Sequence, residues 1–430
     1  MTSPALLTDQ YELTMVEAAL RSGAADRRCV FEVFARSLPG RRRYAVVAGL
    51  GRLAEVLPEF TFDNDALGFL QAAGVIDATT RDWLTSYRFS GSIDAYPEGE
   101  VYFPGSPVLT VEGGFAECVV LETLVLSILN HDSAVATAAV RMVNAAAGRP
   151  CIEMGSRRTH EEAAIASARA AYIGGFTATS NLAAGRRWGI PTTGTAAHAF
   201  TLVHDDERAA FRAQVDALGV GTTLLVDTYD VEAGIRAAIE VAGPELGAVR
   251  LDSGDLPTQA RDARALLDSL GATSTRIVVT SDLDEYAIAG LASAPVDGYG
   301  VGTSLVTGSG TPTAGFVYKL VCRKDDAGDW AEVEKRSAGK TSTGGRKSAF
   351  RRIVHGKAVA EVLRFTAGDT VDGERALQQP VVRDGAVVAD TDLDGARARC
   401  RRSCAELPLH AMKLSPGEPA IETVWERIAP

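Results

Sequence analysis

Hydrophobic and polar positions change texture twice along the chain. Helical spacing over residues 10–22 follows Thr8, a possible cap, while "CVFEVFA" (29–35) and "YAVVA" (44–48) read as strands. Residues 89–114 are rich in Gly and Pro, with short alternating stretches, and predict antiparallel β structure. Helical spacing then holds from about 117 to 148. From 150 onward short apolar runs alternate with helical periods. "PCIEMG", "TTGTAAH", "TTLLVDTYD", "AVRLDSGD", "RIVVTSD" and "VDGYGVGTSLVT" read as strands, and helices are predicted after the first of these and near 177–187 and 206–218. "VEAGIRAAIEVAG" is a further helix, ended by Gly243. "LPTQARDARALLDSLG" has Pro257 near its start and Gly271 past its end, the asymmetry expected of a helix, and "DLDEYAIAGLASA" is another. From about 330 the pattern returns to β-like segments.

Strand–helix units recurring every 25 to 30 residues or so imply a parallel sheet, and the predicted fold class is α/β. His198, Asp227, Asp252, Asp282 and the pair Gly302–Thr303 all fall at carboxyl ends of predicted strands. In an α/β barrel those ends share one face, where such folds place their chemistry. The competing reading is that the acidic residues are helix N-caps. The expected division is 1–115 as the first part of a sandwich domain, 116–325 as the barrel, and 326–430 as a basic loop with the segment that completes the sandwich.

Composition narrows the options. A chain of 430 residues with 46% hydrophobic and 23% charged residues can bury a large core. A net charge of −11 argues against nucleic acid or an anionic membrane as partner. Six scattered cysteines argue against a disulfide framework and for a reducing compartment. Cys400 and Cys404 form a C-x3-C spacing without a second ligand pair, so no metal site is assigned. "MTSPALLTDQ" has neither a basic leader nor an apolar h-region, and "CVVLETLVLSILN" (118–130) is short for a membrane span and carries Glu122. The expectation is a cytoplasmic protein.

The strand ends offer anion chemistry. "LDSGD" places Asp252 to accept from ribose hydroxyls or to hold Mg2+ beside a pyrophosphate. Arg250 lies in an apolar strand and needs an anion, either a substrate carboxylate or phosphate or an internal partner. The glycines of "GYGVGTSLVTG" leave backbone N–H groups open to a phosphate. Arg157 and Arg158 of "EMGSRR" could clamp one. Residues 335–352 hold seven basic side chains and no acidic one, which suggests either a polyanion site or a solvated basic loop. "AGKTS" there ends like a Walker A motif, but Glu334 stands where its first glycine belongs.

"LLTDQYELTM", "EMGSRR…YIGGFTATSN", "GTAAHAF", "LVDTYD", "VRLDSGD", "TSDLDEY" and "GYGVGTSLVT" occur in order over residues 6–308. Together they resemble the nicotinate phosphoribosyltransferases. The resemblance implies condensation of nicotinate with phosphoribosyl pyrophosphate to nicotinate mononucleotide and pyrophosphate, coupled to ATP hydrolysis and using Mg2+. It also implies an irregular seven-stranded α/β barrel, a second α/β domain and a homodimer with shared sites.

Residue by residue, the resemblance implies that His198 is phosphorylated by ATP and that Asp227 orients its ring. Tyr11 would stack on the pyridine from the partner subunit, while Thr195 and Arg250 would meet the nicotinate carboxylate. Asp252 would take the ribose hydroxyls, with Asp282 beside it at the strand ends, and Gly302 and Thr303 would hold the 5′-phosphate. Arg157 would bind phosphate, and Lys340 and Arg346 would reach ATP or pyrophosphate. Two positions depart from the family pattern: Met154 where many members have Phe, and Gly344 where many have Pro. The rival readings are a nicotinamide or quinolinate phosphoribosyltransferase, and a catalytically silent barrel that binds nucleotides.

Overall fold

The computed structural model describes residues 3–335, 343–365 and 370–427. The chain forms two compact units, one from residues 1–134 with 311–430 and one from residues 135–310. These boundaries differ from those expected at 115/116 and 325/326. The helix Glu122–Ala146 runs through the first boundary, and the strand Phe316–Lys324 pairs with Arg28–Ala35 and so belongs to the first unit. One uninterrupted apolar period and one long antiparallel pairing thus override the change in local texture.

The first unit is built on a seven-stranded antiparallel sheet. Within it Arg28–Ala35 is flanked by Phe316–Lys324 and Leu109–Gly114. That strand is buried along nearly its whole length. Phe31 and Val33 join one apolar core with Leu13 and Val16 of the helix Gln10–Ser22 and with Val125 and Leu129 of Glu122–Ala146. Each helix thus contributes residues three or four apart, the spacing that keeps an apolar stripe on one face. A four-stranded sheet in the same unit orders Glu374–Ala376, Ser348–Val354, Lys357–Arg364 and Glu422–Glu426.

This unit neutralises most of the basic segment that sequence alone left open. Lys347 is buried against Glu32 at 2.8 Å, and Arg351 is buried against Glu361 at 2.6 Å. Arg352 pairs with Glu374 and Glu426, and Arg346 with Glu112. The described part of 335–352 is therefore largely an internal ion-pair framework, not a free polycationic surface. Cys400 is buried in the helix Leu393–Glu406 and Cys404 is half-buried, so neither is the exposed terminal thiol that its position in the chain suggests. Glu122–Ala146 with the preceding turn is long and apolar enough to cross a membrane by composition, yet 67% of its most apolar window is buried in protein.

The second unit carries six parallel strands in the order Ala178–Thr179, Cys151–Glu153, Gly298–Val301, Arg276–Val279, Ala248–Leu251, Thr223–Leu225, curled into a half-barrel. "TTGTAAH" does not supply a full seventh strand. Only Thr192 forms a bridge, to Thr179, and residues 193–197 are irregular. Gly and Ala have little to pack on a pleated surface. His198 accordingly opens a short helix, His198–Leu202, instead of closing a strand. Ala178–Thr179 is a strand that the helical pattern of 177–187 concealed, and the helix there is confined to Leu182–Trp188.

The N-cap reading of the strand-end acids is resolved by position. Asp230, Asp255 and Asp284 cap the helices Val231–Ala242, Leu256–Ser269 and Glu285–Gly290. Asp227, Asp252 and Asp282 stand two or three residues earlier and are not the capping residues. Likewise Asp9, not Thr8, precedes the helix Gln10–Ser22, and the Thr8 hydroxyl donates to Glu12. Asp230→Ala and Asp255→Ala should each lower stability by about 1 kcal/mol, measured by urea unfolding followed by circular dichroism. Unchanged midpoints for both would remove the capping role.

Candidate active site

The strand register gathers the polar residues. Leu225 pairs with Arg250 and Arg250 with Val278. Two residues further along each strand lie Asp227, Asp252 and Thr280. Because side chains alternate along a strand, Arg250, Asp252 and Thr280 share one face of the sheet. Arg250 uses that placement fully. Its Nε donates to Thr280 Oγ1 (3.0 Å), one terminal nitrogen to Thr195 Oγ1 (2.7 Å) and Ala196 O (3.3 Å), and the other to Asp252 Oδ1 (3.1 Å). Thr195 thus contacts Arg250 directly, and the irregular segment 193–197 is tied to the sheet by a side chain in place of a ladder.

Asp252 also accepts from Thr280 Oγ1. Burial opposes its ionisation, but the Thr280 hydrogen bond and the Arg250 charge outweigh burial and hold the carboxyl below the ordinary aspartate value. With the folded value depressed, its stabilising contribution is present above the unfolded value and is lost as pH falls through the lowered one.

The Asp227 side chain is almost fully buried. Its Oδ2 accepts from the Asp252 backbone N–H (2.9 Å) and from Ser253 Oγ (2.7 Å). Among the described residues its Oδ1 has no hydrogen-bond partner, and it lies 3.9 Å from His198 Nε2. Asp252 Oδ2 lies at the same distance from that nitrogen, and His198 Nδ1 is 3.2 Å from Thr228 Oγ1. The pair expected from sequence is therefore brought together, with the imidazole facing two carboxylates on one side and a hydroxyl on the other. At 3.9 Å the His198–Asp227 contact is an ion-pair distance, longer than a hydrogen bond.

A pocket of about 240 Å³ adjoins this cluster. Its lining includes Arg157, Arg158, Asp252, Asp282, Gly302 and Thr303. Arg157 and Arg158 are both exposed. Gly302 precedes the four-residue helix Thr303–Val306. Met154 also faces the pocket, and it packs so closely that a Cβ at Gly300 would come within 2.7 Å of its sulfur and 2.6 Å of Thr280 Cγ2. Gly300 is thus required by the close approach of two side chains.

In the first unit, Tyr11 is half-exposed on the helix Gln10–Ser22. Its phenol is pushed up by partial burial first and then by the charge of Glu122. Arg346 engages Glu112 at 2.7 Å and Asp94 at 3.5 Å. Lys340 lies outside the described residues. Thr280, Thr228 and Ser253 were missed by reading the sequence. Their signal is the strand register, which places a hydroxyl beside each carboxylate and cannot be read from one segment alone. Among the described residues no group of three His, Cys, Asp or Glu side chains could hold a metal. Asp252 and Asp282 offer two carboxylates beside the arginines, a donor set that suits Mg2+ only when substrate oxygens complete it.

The family model of the nicotinate phosphoribosyltransferase (NAPRTase) N-terminal domain matches residues 6–130. The chain is 60% identical over 429 residues to nicotinate phosphoribosyltransferase pncB1 of Mycobacterium tuberculosis, covering 97% of this chain and 94% of that protein. It is 39% identical to the nicotinate phosphoribosyltransferase of Bacillus subtilis, covering 82% and 74% of the two chains. The crystal structure of human nicotinic acid phosphoribosyltransferase superposes with a TM-score of 0.82 at 26% identity over 97% of each chain. With a relative this similar over nearly its whole length, the chain belongs to the nicotinate phosphoribosyltransferase family.

Proposed function

We propose that this enzyme condenses nicotinate with phosphoribosyl pyrophosphate, releasing nicotinate mononucleotide and pyrophosphate, in a reaction coupled to ATP hydrolysis. The observation that carries the reading is the Arg250 cluster, a guanidinium in a parallel sheet whose neighbours at the strand ends are two carboxylates, hydroxyls and an arginine-lined pocket. Arg250 and Thr195 bind the pyridine carboxylate, Asp252 and Asp282 the ribose hydroxyls, and Arg157, Gly302 and Thr303 the phosphate. The ring nitrogen of nicotinate is already a free nucleophile, so transfer at C1 of the ribose calls for alignment and charge stabilisation without a strong base. Asp252 or Asp282, together with substrate oxygens, would hold Mg2+, which would neutralise charge on the leaving pyrophosphate.

In the coupled step a His198 ring nitrogen attacks the γ-phosphorus of ATP and ADP leaves. Asp227 holds the ring through its unpartnered Oδ1, closing the 3.9 Å gap when ligand binds. Lys340 and Arg346 are proposed contacts for ATP or pyrophosphate; Arg346 would exchange its carboxylate partners for that anion. The enzyme acts as a homodimer in which Tyr11 of one subunit stacks on the pyridine bound by the other. Six unpaired cysteines suit a reducing, cytoplasmic setting.

Arg250→Ala should raise the Michaelis constant for nicotinate far more than that for ATP, since truncating one partner of a desolvated charge pair costs about 2–5 kcal/mol. An unchanged Michaelis constant for nicotinate in a folded Arg250→Ala protein would remove Arg250 from the pyridine site.

His198→Ala should lose ATPase activity and the acid-labile phosphoryl adduct while retaining slow ATP-independent product formation. Asp227→Asn should fold normally and label poorly, because an amide can leave the ring in the wrong tautomer; the comparable change in a serine protease costs about 10^4 in rate. His204, whose Nδ1 contacts Phe200 O at 2.7 Å, is the control. Labelling that survives in His198→Ala and disappears in His204→Ala would overturn the assignment.

For the shared site, mixing Tyr11→Ala with Arg250→Ala should restore part of the activity that each lacks, assayed after subunit exchange has been verified by mass spectrometry. Exchange without recovery would contradict it.

A further inference from the structure

Among the described residues, six non-glycine positions have positive φ. Arg41, Ala147, Ser309, His355 and Asp384 lie between 48° and 52°, within the left-handed helical region that L residues visit. Ser281 stands apart at 115°. That backbone conformation favours glycine, and a Cβ there is strained whatever the space around it.

The conformation is imposed from both sides. Thr280 before it donates its backbone N–H to Leu251 O (2.9 Å) and its hydroxyl to Asp252. After it, the Leu283 N–H bonds Ser281 O (2.8 Å), and Asp284 caps the next helix. Among the described residues the side chain gains no partner in return. Ser281 is exposed, its hydroxyl has no hydrogen bond to a described residue, and it lines the same pocket as Arg157 and Arg158. Glycine would fit this backbone at lower cost, and the chain does place glycines at Gly300 and Gly302 of the same pocket.

We propose that Ser281 is a substrate-binding residue, whose hydroxyl donates a hydrogen bond to a phosphate oxygen of phosphoribosyl pyrophosphate. Stability is given up at this position for that contact. Arg157 and Arg158 share the pocket with Asp252 and Asp282, so it offers cations to phosphate oxygens and carboxylates to ribose hydroxyls, and the Ser281 hydroxyl adds a neutral, directional donor that a phosphate oxygen can use without repulsion. The inference rests on the phosphoribosyltransferase reading above.

Two variants separate the hydroxyl from the backbone. Ser281→Ala keeps the Cβ and its strain but removes the donor. Ser281→Gly removes both. Isothermal titration of the intact protein with phosphoribosyl pyrophosphate and Mg2+ should show affinity weakened about tenfold or more in both variants. The Michaelis constant for nicotinate should stay within about twofold of the parent's, as one lost phosphate contact leaves the pyridine contacts in place. Only Ser281→Gly should gain thermal stability, with Tm raised by roughly 1–4 °C. Parent-like affinity in either variant, or a lower Tm in Ser281→Gly, would overturn the proposal. A parent protein that binds no phosphoribosyl pyrophosphate would instead sink the function on which it rests.

Discussion

A guanidinium inside a parallel sheet is the constraint on which the second unit is organised. Arg250 cannot be left without partners, because an uncompensated buried charge is far more costly than a surface one. Its hydrogen bonds go to Thr280 on one side, to Thr195 and Ala196 on the other, and to Asp252 ahead of it. One side chain thereby fixes the spacing of two strand ends and anchors the segment that leads into His198. Asp252 is held ionised by the same contacts, and its backbone N–H in turn orients Asp227. The chain of dependence runs from a buried cation to a lowered carboxylate, then to a second carboxylate with one oxygen left over, and finally to the imidazole.

Each of three strand ends separates stability from chemistry. One acidic residue caps the following helix, and an earlier one is released from that duty, Asp252 and Asp282 to line the pocket and Asp227 to face His198 from a buried position. The arrangement explains how successive units can place polar groups on one face without weakening their helices. Ser281 shows the same trade in reverse, with a backbone cost accepted inside the pocket.

Much of this was legible in the sequence. Alternating strand and helix periods from 150 onward, and acids at the strand ends, locate the parallel sheet and its mouth. Arg250 in an apolar run announces an anion, and the structure gives it an internal partner and an open pocket together. What stayed hidden depends on contacts between segments. The two-residue strand Ala178–Thr179 is too short to leave a period, and "TTGTAAH" has β-like spacing but residues too small to hold a ladder. The basic run 335–352 reads equally as a polyanion site or a solvated loop until Lys347, Arg351 and Arg352 meet Glu32, Glu361, Glu374 and Glu426 on other strands of the folded unit. Thr280 and Thr228 carry no local signal, since register alone brings them to Arg250 and His198.

The account is tested most directly by offering the purified enzyme equimolar nicotinate and nicotinamide with phosphoribosyl pyrophosphate and Mg2+, with and without ATP, and separating the mononucleotides formed. The nicotinate phosphoribosyltransferase reading predicts nicotinate mononucleotide as the dominant product, formed faster when ATP is present. Nicotinamide mononucleotide at a comparable rate would contradict it.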